Sequence, residues 1–228
     1  MAKNDFHSGH RKRIDSKARI MGLEFLEEHE QLEKMLFAVI PRGNTNDIAH
    51  KLLDEFGSIY GVLTADVEQL KAIDDVGLRT AEFLHDLLPL FGIAERAMLT
   101  KNDSPALNTT QKICDYVKTL FYGKVVENFY MISLSQSGRV IRFDKISEGT
   151  ALSTEFSVHM VARKAILNEA YAVVLAHNHP GGKCSPSMAD RDMTKSISEA
   201  LDKLGIALTD HVIVATGECY SMKENTVY

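Results

Sequence analysis

The chain has 228 residues, 45% of them hydrophobic, and a formal net charge of −5 at pH 7. That length suits one large or two small domains with a buried core, and the charge does not mark a nucleic-acid binder. No apolar run approaches the roughly 18 residues of a membrane span, the N-terminus lacks the apolar core of a secretory signal, and Cys114, Cys184 and Cys219 are odd in number with no CxxC pair. These features point to a soluble cytoplasmic protein without a disulfide framework.

The first residues are basic: Lys3, Arg11, Lys12, Arg13, Lys17 and Arg19 stand against Asp5 and Asp15. Such an arm suits phosphate or an acidic partner surface; a solvated tail is the plainer reading. Residues 30–97 carry helical periodicity. Leu32, Met35, Leu36, Phe37 and Val39 form one apolar face, which Pro41-Arg42-Gly43-Asn44 breaks. Asp47 can cap a second helix with Ile48, Leu52, Leu53 and Phe56, stopped by Gly57. A third segment runs from Val67 to Ile73. A fourth starts near Arg79 and is interrupted near Pro89.

The turn Asp74-Asp75-Val76-Gly77-Leu78 between the third and fourth segments resembles a helix-hairpin-helix. In such motifs a Gly-rich turn lets backbone N–H groups reach a DNA phosphate. Here the usual Gly-x-Gly is Asp75-Val76-Gly77, and two carboxylates repel the phosphate, so packing or partner docking is the favoured role. Residues 1–99 thus read as a helical domain. The polar segment 100–107, which contains Pro105, is the expected boundary.

Beyond it the pattern changes. Ile113, Tyr116, Val117, Leu120 and Phe121 mark an amphipathic helix. A strand at 128–134, a turn at Gln136-Ser137-Gly138 and a paired strand with Val140, Ile141 and Phe143 follow. A helix at about 158–169 precedes the buried strand 171–176. Another helix carries Met193, Ile197, Ala200, Leu201 and Leu204, and a strand at 208–215 leads to a short last strand. The expected fold is α/β (α+β): an all-helical domain, then a mixed sheet flanked by helices over residues 108–228.

The segment from His177 to Asp190 carries the chemistry. His177 and His179 alternate along a strand end and therefore share a face. Pro180, Gly181 and Gly182 turn the chain, Ser187 opens the next helix, and Asp190 lies in its first turn. Two imidazoles and a carboxylate are three ligands for zinc, leaving a fourth position for water. The competing reading is structural, because Ser187-x-x-Asp190 is also a helix capping box.

This arrangement resembles the JAMM motif of MPN-domain zinc metalloproteases, and the flanking text is closer still to the RadC group of that superfamily. Ser157-Val158-His159, Ala176-His177-Asn178-His179-Pro180 and Asp210-His211-Val212-Ile213 carry the likeness. The resemblance implies Zn²⁺ on His177, His179 and Asp190, and Ser187 as a donor to the developing oxyanion. It also implies an upstream general base. Glu127, which opens a strand directly after a helix, is preferred to Glu148. Asn178 is read as a brace for the loop, Cys184 as a bystander, and His159 and His211 as structural histidines near the site. The function expected is metal-assisted hydrolysis of an amide bond in a protein or peptide. The alternative is a repair- or recombination-associated factor that contacts DNA and uses its MPN domain as a scaffold.

Overall fold

The computed structural model describes residues 5–99, 105–149 and 154–225. Packing divides the chain into two compact units, Met1–Leu88 and Pro89–Tyr228. The expected boundary at 100–107 lies later, and its residues 100–104 fall outside the described residues.

The first unit is helical throughout. Helices α1 (Asp5–Met21), α2 (Glu28–Leu36), α3 (Thr45–Phe56), α4 (Ile59–Thr64), α5 (Val67–Lys71) and the start of α6 (Leu78–Leu99) follow one another. Side-chain caps at Asn44, Ser58 and Asp66 satisfy backbone donors that would otherwise be orphaned. The cap of α3 is therefore Asn44 rather than Asp47, which instead donates its backbone N–H to the Asn44 side chain. Leu32, Leu36, Leu52, Val62, Leu70 and Leu84 interlock in one core.

Three details differ from the sequence reading. From Asp5 on, the basic N-terminal segment is a docked helix rather than a solvated tail, with Lys3 outside the described residues: Ile14 is buried, Lys17 pairs with Glu30, and Lys34 of α2 pairs back to Asp15. Pro89 does not interrupt α6, which continues to Leu99, although a proline forfeits one backbone hydrogen bond. The short helix α4 was not anticipated, because six residues carry too little periodicity to register.

The second unit is a three-layer sandwich. Strands β1 (Asn128–Leu134), β2 (Val140–Glu148), β3 (Ala172–Asn178), β4 (Ala207–Ala215) and β5 (Glu218–Ser221) form a sheet in the order β2-β1-β3-β4-β5. Only β3 and β4 are parallel; β1 pairs antiparallel with both β2 and β3, and β5 antiparallel with β4. Strands β1 and β3 are buried along their whole length, as both faces of the sheet are covered. Helix α7 (Thr110–Lys118) covers one face, packing Ile113, Tyr116 and Val117 on Tyr130, Ile132, Val174 and Val212. Helices α8 (Thr154–Leu167) and α9 (Met188–Asp202) cover the other, packing Val161, Ile197 and Leu201 on Met131, Val173 and Leu175.

The cysteine reading is corrected. Cys114 on α7 and Cys219 on β5 form a disulfide across a sequence separation of 105, their Cα atoms 5.9 Å apart. Packing of α7 on the β4–β5 edge brings together residues whose spacing carried no local signature. One of the observations behind the cytoplasmic expectation is thereby removed. Among the described residues, no helix is long and apolar enough to cross a membrane.

A buried carboxylate ties β2 to α8. Asp144, 7% exposed, accepts from Lys164 Nζ at 2.8 Å and Asn168 Nδ2 at 2.7 Å. Burial pushes its pKa up, but these donors outweigh burial and hold it below the ordinary value. A depressed folded pKa adds stability that is present above the unfolded value of about 3.9 and disappears as pH falls through the folded one. Asp144→Asn should therefore cost about 1–3 kcal/mol at pH 7. The gap from wild type should narrow in urea melts at about pH 3.

Candidate metal centre

The site forms where β3 ends. Residues of β3 alternate between the two sheet faces, so His177 lies on the α8–α9 side with Val173 and Leu175. His179 follows just past the strand, held in line by its backbone N–H on Val214 O at 2.9 Å. The chain then reverses: Gly182 N–H donates to His179 O at 3.1 Å, with Pro180 and Gly181 in the middle of the turn. Gly181 has φ +66°, which an L side chain resists. A Cβ on Gly182 would lie 3.2 Å from His179 Cβ. The two glycines therefore permit the reversal and leave the second imidazole its space.

The two rings point their Nε2 atoms at each other, 2.9 Å apart. Asp190 closes the triangle. Its Oδ1 lies 3.2 Å from His177 Nε2 and its Oδ2 3.5 Å from His179 Nε2. Donors on a tetrahedral zinc with bonds of about 2.0–2.1 Å stand roughly 3.3 Å apart, so the three separations match that ion. The chemistry of the set also fits, since borderline nitrogen and oxygen donors are what zinc accepts.

Capping and carboxylate placement turn out to be one device. Ser187 is the N-cap of α9: its Oγ accepts the Asp190 backbone N–H at 3.2 Å, and its own N–H donates to Asp190 Oδ2 at 2.7 Å. The Ser187 hydroxyl donates to the same Oδ2 at 2.7 Å. The capping box thus holds the Asp190 side chain over the helix start, where the macrodipole favours an anion. Burial raises the Asp190 pKa, but His177 and the Ser187 donors prevail and hold the carboxyl far below its ordinary value.

Glu127 stands at the rim, just ahead of β1, with its Oε1 3.7 Å from His179 Nε2 and its side chain 47% exposed. Its carboxylate and the two imidazoles place donor atoms within 4.8 Å of one another. Two carboxylates therefore compete for the third metal position. Asp190 contacts both rings and is buried; Glu127 contacts one and faces solvent, which suits a group that meets substrate. Glu148 is elsewhere: it ends β2, exposed and ion-paired with Lys145, which lowers its pKa.

The remaining sequence candidates separate cleanly. Asn178, between the two histidines, points to the opposite sheet face. Its Oδ1 accepts Asn128 N–H at 2.7 Å and its Nδ2 donates to Val126 O at 3.0 Å, so it clamps the segment that carries Glu127. Cys184 is free and donates to Ile213 O at 3.3 Å; burial pushes its thiol pKa up, which disfavours the thiolate. His159 is exposed on α8. His211 is completely buried, which drives its pKa well below the ordinary histidine value, and its Nε2 lies 2.8 Å from His177 Nδ1. Thr194 lies behind it on α9 and was not singled out from the sequence. Its i,i+4 spacing from Asp190, which puts both on one helix face, was the available signal.

A cleft opens beside these groups, lined by Glu127, Phe129, Ser147, Ser157, Ala189 and Met193.

Comparison with known proteins gives the chain a family. A family model described as a RadC-like JAB domain matches residues 107–227. The chain is 32% identical to a UPF0758 protein of Fusobacterium nucleatum subsp. nucleatum, over 98% of each chain. It is 33% identical to a UPF0758 protein of Chromobacterium violaceum, over 89% of this chain and 90% of the relative. It is 34% identical to one of Ruegeria pomeroyi, over 90% and 91%. The sheet unit is thus a RadC-like JAB domain, and the chain belongs to the RadC family.

Proposed function

We propose that this protein is a zinc-dependent hydrolase that cleaves an amide bond, peptide or isopeptide, in a protein or peptide substrate. The observation that carries the reading is the convergence of His177 Nε2, His179 Nε2 and the Asp190 carboxylate at separations of 2.9, 3.2 and 3.5 Å. His177, His179 and Asp190 would hold the metal, and its remaining position would face the cleft. When bound, zinc lowers the pKa of water toward about 7 and polarises a carbonyl.

The other roles belong to the chain. Glu127, exposed at the rim, would take a proton from the attacking water on its carboxylate and deliver it to the leaving amine. Such transfers contribute about 10²–10⁴-fold. Ser187 would stabilise the oxyanion once its hydroxyl, which here donates to Asp190 Oδ2, turns to the substrate; one such donor is worth about 10²–10³-fold. Phe129 and Met193 give the cleft an apolar wall beside these polar groups.

The DNA-contacting alternative gains nothing from the hairpin. Asp74 and Asp75 side chains remain 89% and 74% exposed at the turn, and Lys51 approaches them at 3.9 and 3.6 Å, so the turn presents carboxylates where a phosphate would sit.

The reading is tested by metal analysis and chelation together. Protein purified without chelator should carry about one zinc per chain. Its hydrolysis of a peptide library should stop when the metal is stripped and return when zinc is restored. Undiminished hydrolysis by the stripped protein would refute the proposal.

A further inference from the structure

The imidazoles are held from behind by a buried chain of polar groups that the hydrolytic scheme does not use. His177 Nδ1 lies 2.8 Å from His211 Nε2. His211 Nδ1 lies 2.5 Å from Thr194 Oγ1, and Thr194 Oγ1 lies 2.5 Å from the backbone carbonyl of Asp190. Thr194 and His211 are both wholly buried. The chain thus starts at one expected metal ligand and ends on the backbone of another.

The direction of its protons follows from what each atom can do. Two oxygens 2.5 Å apart need a proton between them. The Asp190 carbonyl has none to give, so the Thr194 hydroxyl donates to it. Thr194 Oγ1 then accepts, and His211 carries its proton on Nδ1. A fully buried imidazolium with no carboxylate hydrogen-bonded to it is strongly disfavoured, so His211 has one proton only and its Nε2 is an acceptor. His177 must therefore carry a proton on Nδ1, which leaves Nε2, facing the Asp190 carboxylate at 3.2 Å, as the atom that meets a cation. On the other ring, His179 Nδ1 faces Lys183 O at 3.0 Å, a pure acceptor, which leaves its Nε2 for the same cation. Two lone pairs 2.9 Å apart, beside a carboxylate, repel unless a cation lies among them.

We infer that Thr194, acting through His211, fixes the tautomer of His177 and so keeps Nε2 free to bind the metal. Thr194 is a positioning residue: it touches neither metal nor substrate. Without its hydroxyl as acceptor, His211 is free to move its proton to Nε2, which would force the His177 proton onto the metal-facing nitrogen. The inference rests on the metal-site reading above and adds a group outside the ligand set. Groups that orient a ligand in this way are worth about 10–100-fold in metal affinity.

The test needs no substrate. Zinc affinity is measured by competition with a chromophoric chelator for wild type, Thr194→Val and Thr194→Ser. Valine keeps the shape and loses the hydroxyl; serine keeps the hydroxyl and loses the methyl. The relay predicts zinc binding about 10–100-fold weaker for Thr194→Val and close to wild type for Thr194→Ser. A packing role predicts the reverse order, and that order would overturn the inference, as would equal affinity in all three proteins. Imidazole ¹⁵N spectra of metal-free wild type supply a check independent of how the variants fold: His177 Nδ1 should carry a proton and His211 Nε2 should not, and an unprotonated His177 Nδ1 refutes the relay. Failure of wild type to bind zinc at all would instead defeat the metal reading itself, a distinguishable result.

Discussion

Glu127→Gln is expected to keep its zinc and lose amide hydrolysis. The carboxylate stands 3.7 Å from His179 Nε2 with nearly half its surface in solvent, whereas the inner triangle of His177, His179 and Asp190 is complete without it. Glutamine matches its size but cannot accept the proton from water. The expected fall in kcat is at least the ~10²–10⁴-fold assigned to a general base, with KM little changed, because Glu127 is not needed to hold the ground state. Zinc content should equal that of wild type. Loss of zinc in this variant would make Glu127 a ligand and would leave the base unassigned. Full activity would move the base elsewhere, and Glu148 is poorly placed to inherit it, held as it is by Lys145 on the end of β2.

His177→Ala and His179→Ala should each abolish stoichiometric zinc and, with it, hydrolysis. A ligand that binds only the folded state stabilises it by about 4 kcal/mol when its free concentration is a thousand times Kd. Wild type should therefore melt at higher temperature as zinc is added, and neither alanine variant should respond. Melting curves with and without zinc give the answer before any substrate is known. The two variants should differ in the metal-free state. His177 is 3% exposed and hydrogen-bonded to His211, so its removal strands a buried acceptor, at a cost of about 1–3 kcal/mol. The His179 side chain is 18% exposed and should cost less.

Much of this site was legible in the chain. Alternation along a strand was enough to put His177 and His179 on one face, and the Pro-Gly-Gly turn announced the reversal that returns Asp190. The preference for Glu127 over Glu148 came from its position ahead of a strand, and the geometry brings Glu127, not Glu148, to the imidazoles. The helical first unit and the mixed sheet were readable from periodicity alone. The failures have physical causes. Pro89 was expected to break α6, yet the helix continues through it to Leu99, because a proline removes one backbone hydrogen bond without excluding the helix. Among the described residues of α1, Ile14 is buried and Lys17 pairs with Glu30 of α2, and one apolar anchor among charges gives little periodicity to read. Ser187 posed a false choice between cap and site, since the capping box is itself what aims the Asp190 carboxylate.

The sequence by itself determined that His177, His179 and Asp190 converge, because they sit close along the chain and local periodicities of strand and helix decide which way they point. Only the tertiary structure decided what stands behind them. The Cys114–Cys219 disulfide, the Asn178 clamp on the segment before β1, and the His177–His211–Thr194 chain all join residues from different elements. Their partners meet only after the sheet has paired and the helices have closed on it, and no local pattern encodes which side chain will lie across a sheet or behind a helix.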